Sequence, residues 1–224
     1  MAEEKQKTIM ADLHTHTCYS SDGETRPDEL VRRARELGLD AIAVTDHNTT
    51  KGAIEAKRIA KGKPLVIIGQ EVRTKEGEII ILGPKQDIAH GLGLLETCRI
   101  AKKLGGFIII PHPFDKFREG IGPKIGSIKQ YIDAVEVYNT RCIFSRFNKK
   151  AEKFAKKNSL PAVAGTDAHF PGELGGAATV IKAGKISEEE IFRAIKKMRT
   201  AVSAEKRGRF SMLRTCLRRV RKKL

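Results

Sequence analysis

The sequence predicts an α/β barrel. Three observations carry that prediction. Short β-branched apolar runs alternate with amphipathic helical segments, about seven such strands fit within 224 residues, and polar clusters follow at least five strands at their C-terminal ends. Alternation of this kind implies a parallel sheet, closed into a barrel or open and doubly wound. No Gly-x-Gly-x-x-Gly or phosphate-binding loop follows the first strand, which weighs against the open nucleotide-binding sheet. In a barrel the C-terminal strand ends meet at one mouth, so residues distant in sequence converge there.

Residues 9–13 form the first predicted strand. A helix follows over 27–37: Pro27, Asp28 and Glu29 suit its first turn, Leu30, Ala34 and Leu37 make its apolar stripe, and Gly38 ends it. Residues 41–45 are the next strand, followed by a lysine-bearing helix near 52–60. The β-branched runs 65–69 and 79–82 flank the turn-like Lys75-Glu76-Gly77 and predict a hairpin. A helix near 92–104 leads through Gly105-Gly106 to a strand at 107–110, and 134–138 is another strand. Phe144, Phe147, Ala151 and Phe154 mark a helix by their spacing. Residues 162–165 and 179–181 are short strands. Ser187 and Glu190 form a capping box for a helix that turns Ile191, Ile195 and Met198 inward. No domain break precedes Ala204, so residues 1–204 read as one barrel.

Composition narrows the function. The net charge is +16, and residues 205–224 hold nine Lys/Arg against one Glu, or +8, half of that total. Such a balance favours polyanionic partners: nucleic acid, an acidic membrane surface or phosphorylated substrates. Cys18, Cys98, Cys142 and Cys216 form no CxxC pair, which argues against a disulfide framework or zinc ribbon and fits a reducing, cytoplasmic setting. No apolar run approaches the ~20 residues that span a bilayer.

Five of the six histidines sit in short clusters at the predicted strand ends. His14 and His16 stand two apart in Asp12-Leu-His-Thr-His, so on a strand both can face the barrel axis and hold one ion. Asp22 follows in Ser20-Ser-Asp-Gly23. His47 lies in Thr45-Asp-His-Asn, and Glu71 closes the run Leu65-Val-Ile-Ile-Gly-Gln-Glu, where its two oxygens can bridge two metals. His112 is fixed between Pro111 and Pro113. Glu136 is flanked by apolar residues in Ala134-Val-Glu-Val-Tyr, and a buried glutamate must pair or lose its charge. Asp167 and His169, again two apart, complete the set. Packing alone does not explain so many ligand-type side chains at strand ends. His90 stands in a polar stretch outside every cluster and is expected to have no metal role.

Together, Asp-Leu-His14-Thr-His16-Thr, Ser-Asp22-Gly, Thr-Asp-His47-Asn, Glu71, Pro-His112-Pro and Gly-Thr-Asp167-Ala-His169 resemble the PHP (polymerase and histidinol phosphatase) family, in the right order over residues 9–203. The resemblance implies a distorted seven-stranded (β/α)7 barrel with a site for two or three divalent ions; mixed imidazole and carboxylate ligands accept Zn, Mn or Fe, and residues 205–224 read as a basic C-terminal helical extension. The resemblance also implies that His14, His16, Glu71 and Asp167 hold a first ion, that Glu71, His112 and Glu136 hold a second, and that Asp22, His47 and His169 hold a third. It is closest to the stand-alone phosphoesterase branch, in which a metal-bound hydroxide attacks phosphorus and no side chain acts as nucleophile. Two departures stand out: Asp22 occupies a place that is histidine in some relatives, and Ile80 stands where many phosphoesterases carry a histidine.

The expected activity is hydrolysis of a phosphate ester of a nucleotide or oligonucleotide end. The alternatives are a small-molecule phosphomonoesterase of histidinol-phosphatase type and a non-catalytic nucleic-acid-binding barrel. Arg118, which follows the His112 loop, and Arg141 are the expected phosphate ligands, because guanidinium matches phosphate oxygens bidentately. In the tail, Leu213, Leu217, Val220 and Leu224 recur at helical spacing among arginines. That pattern fits a helix packed on the barrel, a nucleic-acid arm or a peripheral membrane helix. The tail lacks an aromatic platform for stacking on single strands. Oligomeric state is not encoded in any of these patterns.

Overall fold

The computed structural model describes residues 6–204; the tail at 205–224 lies outside the described residues. Strands β1 (Lys7–Thr15), β2 (Ala41–Val44) and β3 (Leu65–Thr74) alternate with helices α1 (Pro27–Glu36) and α2 (Lys51–Ala60). Across a two-residue turn follows β4 (Gly77–Leu82), and α3 (Leu94–Lys103) leads to β5 (Phe107–Ile110). A 3-10 segment at Gly122–Tyr131 precedes β6 (Ala134–Asn139), α4 (Ser145–Lys157) and β7 (Ala162–Gly165). The last elements are β8 (Ala177–Ala183), α5 (Glu188–Lys196) and β9 (Thr200–Ala204).

All nine strands form one sheet in the order β7-β6-β5-β4-β3-β2-β1-β8-β9. The pairs β1–β2, β2–β3, β5–β6 and β6–β7 are parallel, whereas β3–β4, β4–β5, β1–β8 and β8–β9 are antiparallel. The α/β barrel class and the predicted hairpin, β3–β4, are as expected, while among the described residues the strands number nine rather than about seven and the sheet is mixed rather than parallel. The link between β3 and β4 is too short for a crossover. The Thr-Ala-Val-Ser-Ala segment of β9 is mostly exposed and has no apolar alternation to reveal it.

The barrel closes by side-chain and loop bonds rather than by a full ladder between β7 and β1. Buried Asp12 accepts the Thr166 backbone N–H at 3.0 Å and the Thr166 hydroxyl. Asp167 N donates to His14 O at 2.7 Å, and His16 N to Ala168 O at 2.9 Å. Lower down, Thr179 Oγ1 accepts from Ala164 N and donates to Ala164 O.

Alternation along the strands sorts the core. Ile9, Ala11 and Leu13 of β1, Ile67 of β3, Ile80 and Leu82 of β4, Ile109 of β5 and Val163 of β7 pack into one interior cluster, with Ile191 and Ile195 of α5 packed into it. The opposite faces carry Ile42 and Val66 against α1 and α2, and Ile79 and Ile108 against α3. The α5 cap is as expected, with Ser187 Oγ accepting from Glu190 N. Met198, expected to face inward, is exposed beyond the end of α5 with φ 55°. Phe144, expected within the helix that is α4, is the exposed residue ahead of its first turn.

Candidate metal centre

Two irregularities aim the ligand-type side chains. The β1–β2 register shifts between Asp12 and Thr15, and the β6–β7 register shifts between Glu136 and Tyr138. The first is a bulge that resets the alternation, so that Leu13 faces the core while His14 and His16 converge above it. Glu71 lies inside β3 rather than at its end, on the same face as Ile67. His112 and Asp167 have φ of 28° and 56°, a left-handed backbone that L-residues adopt at a cost of about 1–3 kcal/mol. Hydrogen bonds hold both: His112 N donates to Glu136 Oε2 at 2.8 Å, and Asp167 N to His14 O. Gly165 is required beside them, since a Cβ there would collide with His14 Cβ and lie 2.6 Å from Glu136 Oε1.

Four atoms define the innermost group. His14 Nε2 and His16 Nε2 are 3.1 Å apart; Glu71 Oε2 lies 3.4 and 3.3 Å from them, and Asp167 Oδ1 lies 3.5 and 3.4 Å. A tetrahedral ion with bonds of about 2.0–2.1 Å separates its ligands by roughly 3.3–3.4 Å. Glu71 Oε2 and Asp167 Oδ1 are buried and lack a hydrogen-bond donor. Two anionic oxygens facing two imidazole nitrogens at these separations fit a divalent cation.

The surroundings prepare this geometry. His14 Nδ1 lies 3.0 Å from Glu136 Oε1 and donates to it, which leaves Nε2 free to ligate. His16 Nδ1 does the same toward Ser20 Oγ at 3.0 Å. Ser20 in turn donates to buried Asp46 Oδ1 at 2.9 Å, and Asp46 also takes the N–H and hydroxyl of Thr17. Asp167 divides its oxygens, with Oδ1 toward the histidines and Oδ2 taking Asn139 Nδ2 at 3.0 Å and the Arg118 guanidinium.

Around this group lie two further sets. His112 Nε2 is 3.1 Å from Glu71 Oε1 on the far side of the same carboxylate. Asp22 lies 3.6 Å from His47 Nε2 and 3.1 Å from His169 Nε2 at the rim. Each sequence-singled residue thus reaches the mouth. Glu136 stands apart from the other expected ligands: its oxygens meet the His14 ring at Nδ1, the His112 backbone N–H and the Asn139 amide, so of these contacts one is to an imidazole. Arg118 and Arg141 are buried beside Asp167; Arg141 packs on His169 Nδ1 and its backbone N–H donates to Asn139 Oδ1. His90 is exposed and belongs to none of these groups.

Charge follows the same division. Burial opposes a charged ring at His14, yet Asp167, Glu136 and Glu71 hold its pKa well above the usual value. His16 is likewise pushed up to about 9: burial works against the charge, and Asp167 and Glu71 outweigh it. Burial and neighbouring His16 drive His169 down to about 3. Burial also lowers His47 and His112. Burial would raise Glu71 and Asp167, but His14 and His47 for the first and Arg118 and His14 for the second hold them well below the carboxylate range.

Sequence reasoning missed Glu78 and Asn139. Glu78 points from β4 to within 3.7 Å of His47 Nδ1, close enough that His47, Glu71 and Glu78 can share an ion. Burial first, then Glu71, pushes it up to about 8. A glutamate in the apolar run Gly77-Glu-Ile-Ile-Ile-Leu carries the same signal that marked Glu136. Asn139 had no such signal, because its role depends on Asp167, Arg118 and Glu136 meeting around it.

Fold and site together define a barrel that carries an imidazole–carboxylate metal centre at its mouth. The chain belongs to the PHP family. A family model described as PHP-associated matches residues 145–200. The uncharacterised protein MJ1587 of Methanocaldococcus jannaschii is 38% identical over 142 residues, 58% of this chain and 82% of that protein. The 5'-3' exoribonuclease Rnm of Salmonella typhimurium is 43% identical over 88 residues, 37% of this chain and 29% of that enzyme. Among solved structures, a two-domain protein from Bacteroides vulgatus containing a predicted PHP-like metal-dependent phosphoesterase superposes with a TM-score of 0.77 at 21% identity. The match covers 93% of this chain and 69% of that one, and at this identity it attests the fold.

Proposed function

We propose that this chain is a metal-dependent phosphoesterase acting on a phosphate ester of a nucleotide or oligonucleotide end. The observation that carries the reading is the four-atom group of His14, His16, Glu71 and Asp167, with two buried arginines beside it. His14, His16, Glu71 and Asp167 would hold one ion, Glu71 and His112 a second, and Asp22, His47 and His169 a third. Imidazole and carboxylate together suit Zn, Mn or Fe. Such ions supply Lewis acidity and lower the pKa of water near neutrality.

The chain's own residues then act on the substrate. Arg118 and Arg141 take the phosphate oxygens, and their burial strengthens each charge-assisted bond. Asn139 holds the Arg118 guanidinium and the Arg141 main chain, since its Oδ1 accepts from Arg118 Nη1 at 3.2 Å and from the Arg141 backbone N–H at 2.9 Å. Glu136 and Ser20 fix the rings of His14 and His16. The names of the exoribonuclease and phosphoesterase relatives support a phosphoester substrate. The tail at 205–224 is read as a nucleic-acid arm, and free Cys18, Cys98 and Cys142 support a reducing cytoplasmic setting. Among the described residues no helix is long and apolar enough to cross a membrane.

The test is elemental analysis of protein purified without chelator, with turnover measured on a phosphomonoester, a phosphodiester and a short 5′-phosphorylated RNA. Metal-stimulated turnover of the RNA or a nucleotide is expected. Turnover of the monoester alone would favour the small-molecule phosphatase, and none on any substrate would overturn the phosphoesterase reading. Removing residues 205–224 should weaken RNA binding and flatten its salt dependence. The log–log slope should shrink by roughly 0.7 for each single-strand phosphate that the tail had neutralised.

A further inference from the structure

The mouth carries an aromatic and cationic surface that the metal centre leaves unused. The segment that delivers Arg118 also presents Phe117, and the segment that delivers Arg141 also presents Phe144. These rings are 61% and 43% exposed. With Phe147 they form a triangle of ring centroids 5.9, 6.2 and 6.0 Å apart. Phe114 and Phe154 adjoin at 5.6 Å from one another, so five of the chain's nine phenylalanines gather here while two face water. Core packing accounts for Phe147, not for Phe117 and Phe144.

Cations surround the rings. The Arg146 guanidinium lies over Phe144 at 4.6 Å and over Phe147 at 5.2 Å, and Lys150 Nζ lies 4.6 Å over Phe114. An open cleft of about 380 Å³ runs between Phe114, Lys116, Arg146, Phe147 and Lys150. On α4, Arg146, Lys149, Lys150 and Lys153 recur at i, i+3, i+4 and i+7, which places them on one exposed face. Exposed rings interleaved with cations match the two faces of a single strand, aromatic bases and anionic phosphates. An apolar protein partner would have to cover the same cations without compensation.

We propose that Phe117 and Phe144, flanked by Lys116, Arg146 and Lys150, form a stacking platform for the bases of a single-stranded nucleic acid whose phosphate ester enters the metal centre. This rests on the phosphoesterase reading and names its substrate class: a strand rather than a free small phosphate. Adjacent segments carry platform and arginines, so a strand with a phosphate on Arg118 and Arg141 leads its next bases over the rings.

The experiment measures fluorescence anisotropy with the full metal-loaded protein. Two phosphorothioate-linked strands of about eight residues are compared, within the usual single-strand site size. One bears bases and the other is abasic, with equal charge. Phosphate contacts, from the tail included, bind both; stacking binds only the first and contributes about fivefold to a hundredfold in affinity per base. Wild type is expected to prefer the base-bearing strand by at least about fivefold. Phe117→Ala/Phe144→Ala should erase that preference, Phe117→Tyr/Phe144→Tyr should retain it, and Arg146→Ala/Lys150→Ala should weaken both strands and lower the salt slope. Equal wild-type affinity for the two strands, or a preference that survives the alanine pair, overturns the platform. Self-association that disappears in the alanine pair, without base preference, also overturns it and assigns the surface to a protein contact. A base preference without turnover of any phosphoester would leave the platform standing and sink the hydrolytic reading instead.

Discussion

The inner and outer parts of the mouth are built from the same residue types under opposite constraints. Inside, His14, His16, Glu71 and Asp167 are fully buried, and each ring is aimed by a residue behind it, Glu136 or Ser20. At the rim, the Asp22 side chain is 48% exposed and that of His47 21% exposed, so water competes for both, while His169 behind them is buried. On the proposed reading, the difference implies that the type of ligand atom alone would not set ion affinity. Packing and the hydrogen bonds behind the ligands hold the inner atoms at ion-binding separations in advance, while the rim must order its carboxylate when an ion arrives.

That contrast can be broken at several points. The largest effect is expected for His16→Ala, which removes one vertex of the inner group. Inner-ion affinity should fall by more than the ~100-fold that marks the upper range for removing a group behind a ligand, read by titration calorimetry and metal content. Retained stoichiometry and affinity would show that the four atoms are not a ligand set. Next comes Glu136→Gln, which leaves every proposed ligand atom in place but weakens the hold on His14 Nδ1. A ~10–100-fold loss of metal affinity is expected with the fold intact by circular dichroism; no change would return Glu136 to a passive role.

Acidity separates the two parts without any mutation. Below about pH 9 the metal-free His16 ring carries a proton, because Asp167 and Glu71 outweigh burial; at His14 burial is likewise outweighed, by Asp167, Glu136 and Glu71, and the charged ring is favoured. An inner ion must expel those protons, so its apparent affinity should rise with pH, by up to about tenfold per unit for each proton released, with the His16 contribution levelling off above about pH 9. His47 and His169, the second pushed down to about 3, are neutral in this range, and the rim should respond weakly. Calorimetry in buffers of different ionisation enthalpy counts the protons; equal slopes for all ions would remove the distinction. The smallest effect is expected for Asp22→Asn. Only the rim ion should weaken, by roughly tenfold, the low end for such polar contacts, with the inner ions unchanged by elemental analysis.

Much of this was legible in the chain. The residues marked by the His-x-His and Asp-x-His spacings, the carboxylates at strand ends and the arginines after His112 and Tyr138 all come together at one end of the barrel. Glu136 shows where the signal stopped. Apolar flanks revealed that it was buried, yet whether a buried glutamate faces an ion or an imidazole depends on what stands opposite, here His14, 122 residues away. Glu78 carried the same apolar-flank signal and was passed over, whereas Asn139 had none, because its contacts with Asp167, Arg118 and Glu136 form only in the folded chain. Phe144 kept helical spacing with Phe147 but fell outside the first turn, and so became surface.

The sequence by itself determined the α/β alternation, the chemistry gathered at the strand ends and the charge that favours phosphate. Those properties follow from local periodicity and residue type, which act over a few residues. Only the tertiary structure decided the nine-stranded mixed sheet, the bulges that turn His14 and His16 onto one point, and the split roles of Asp167, Glu136 and the two arginines. Each of those rests on contacts between residues far apart in the chain, and the distances that make an ion site exist only once the barrel has closed.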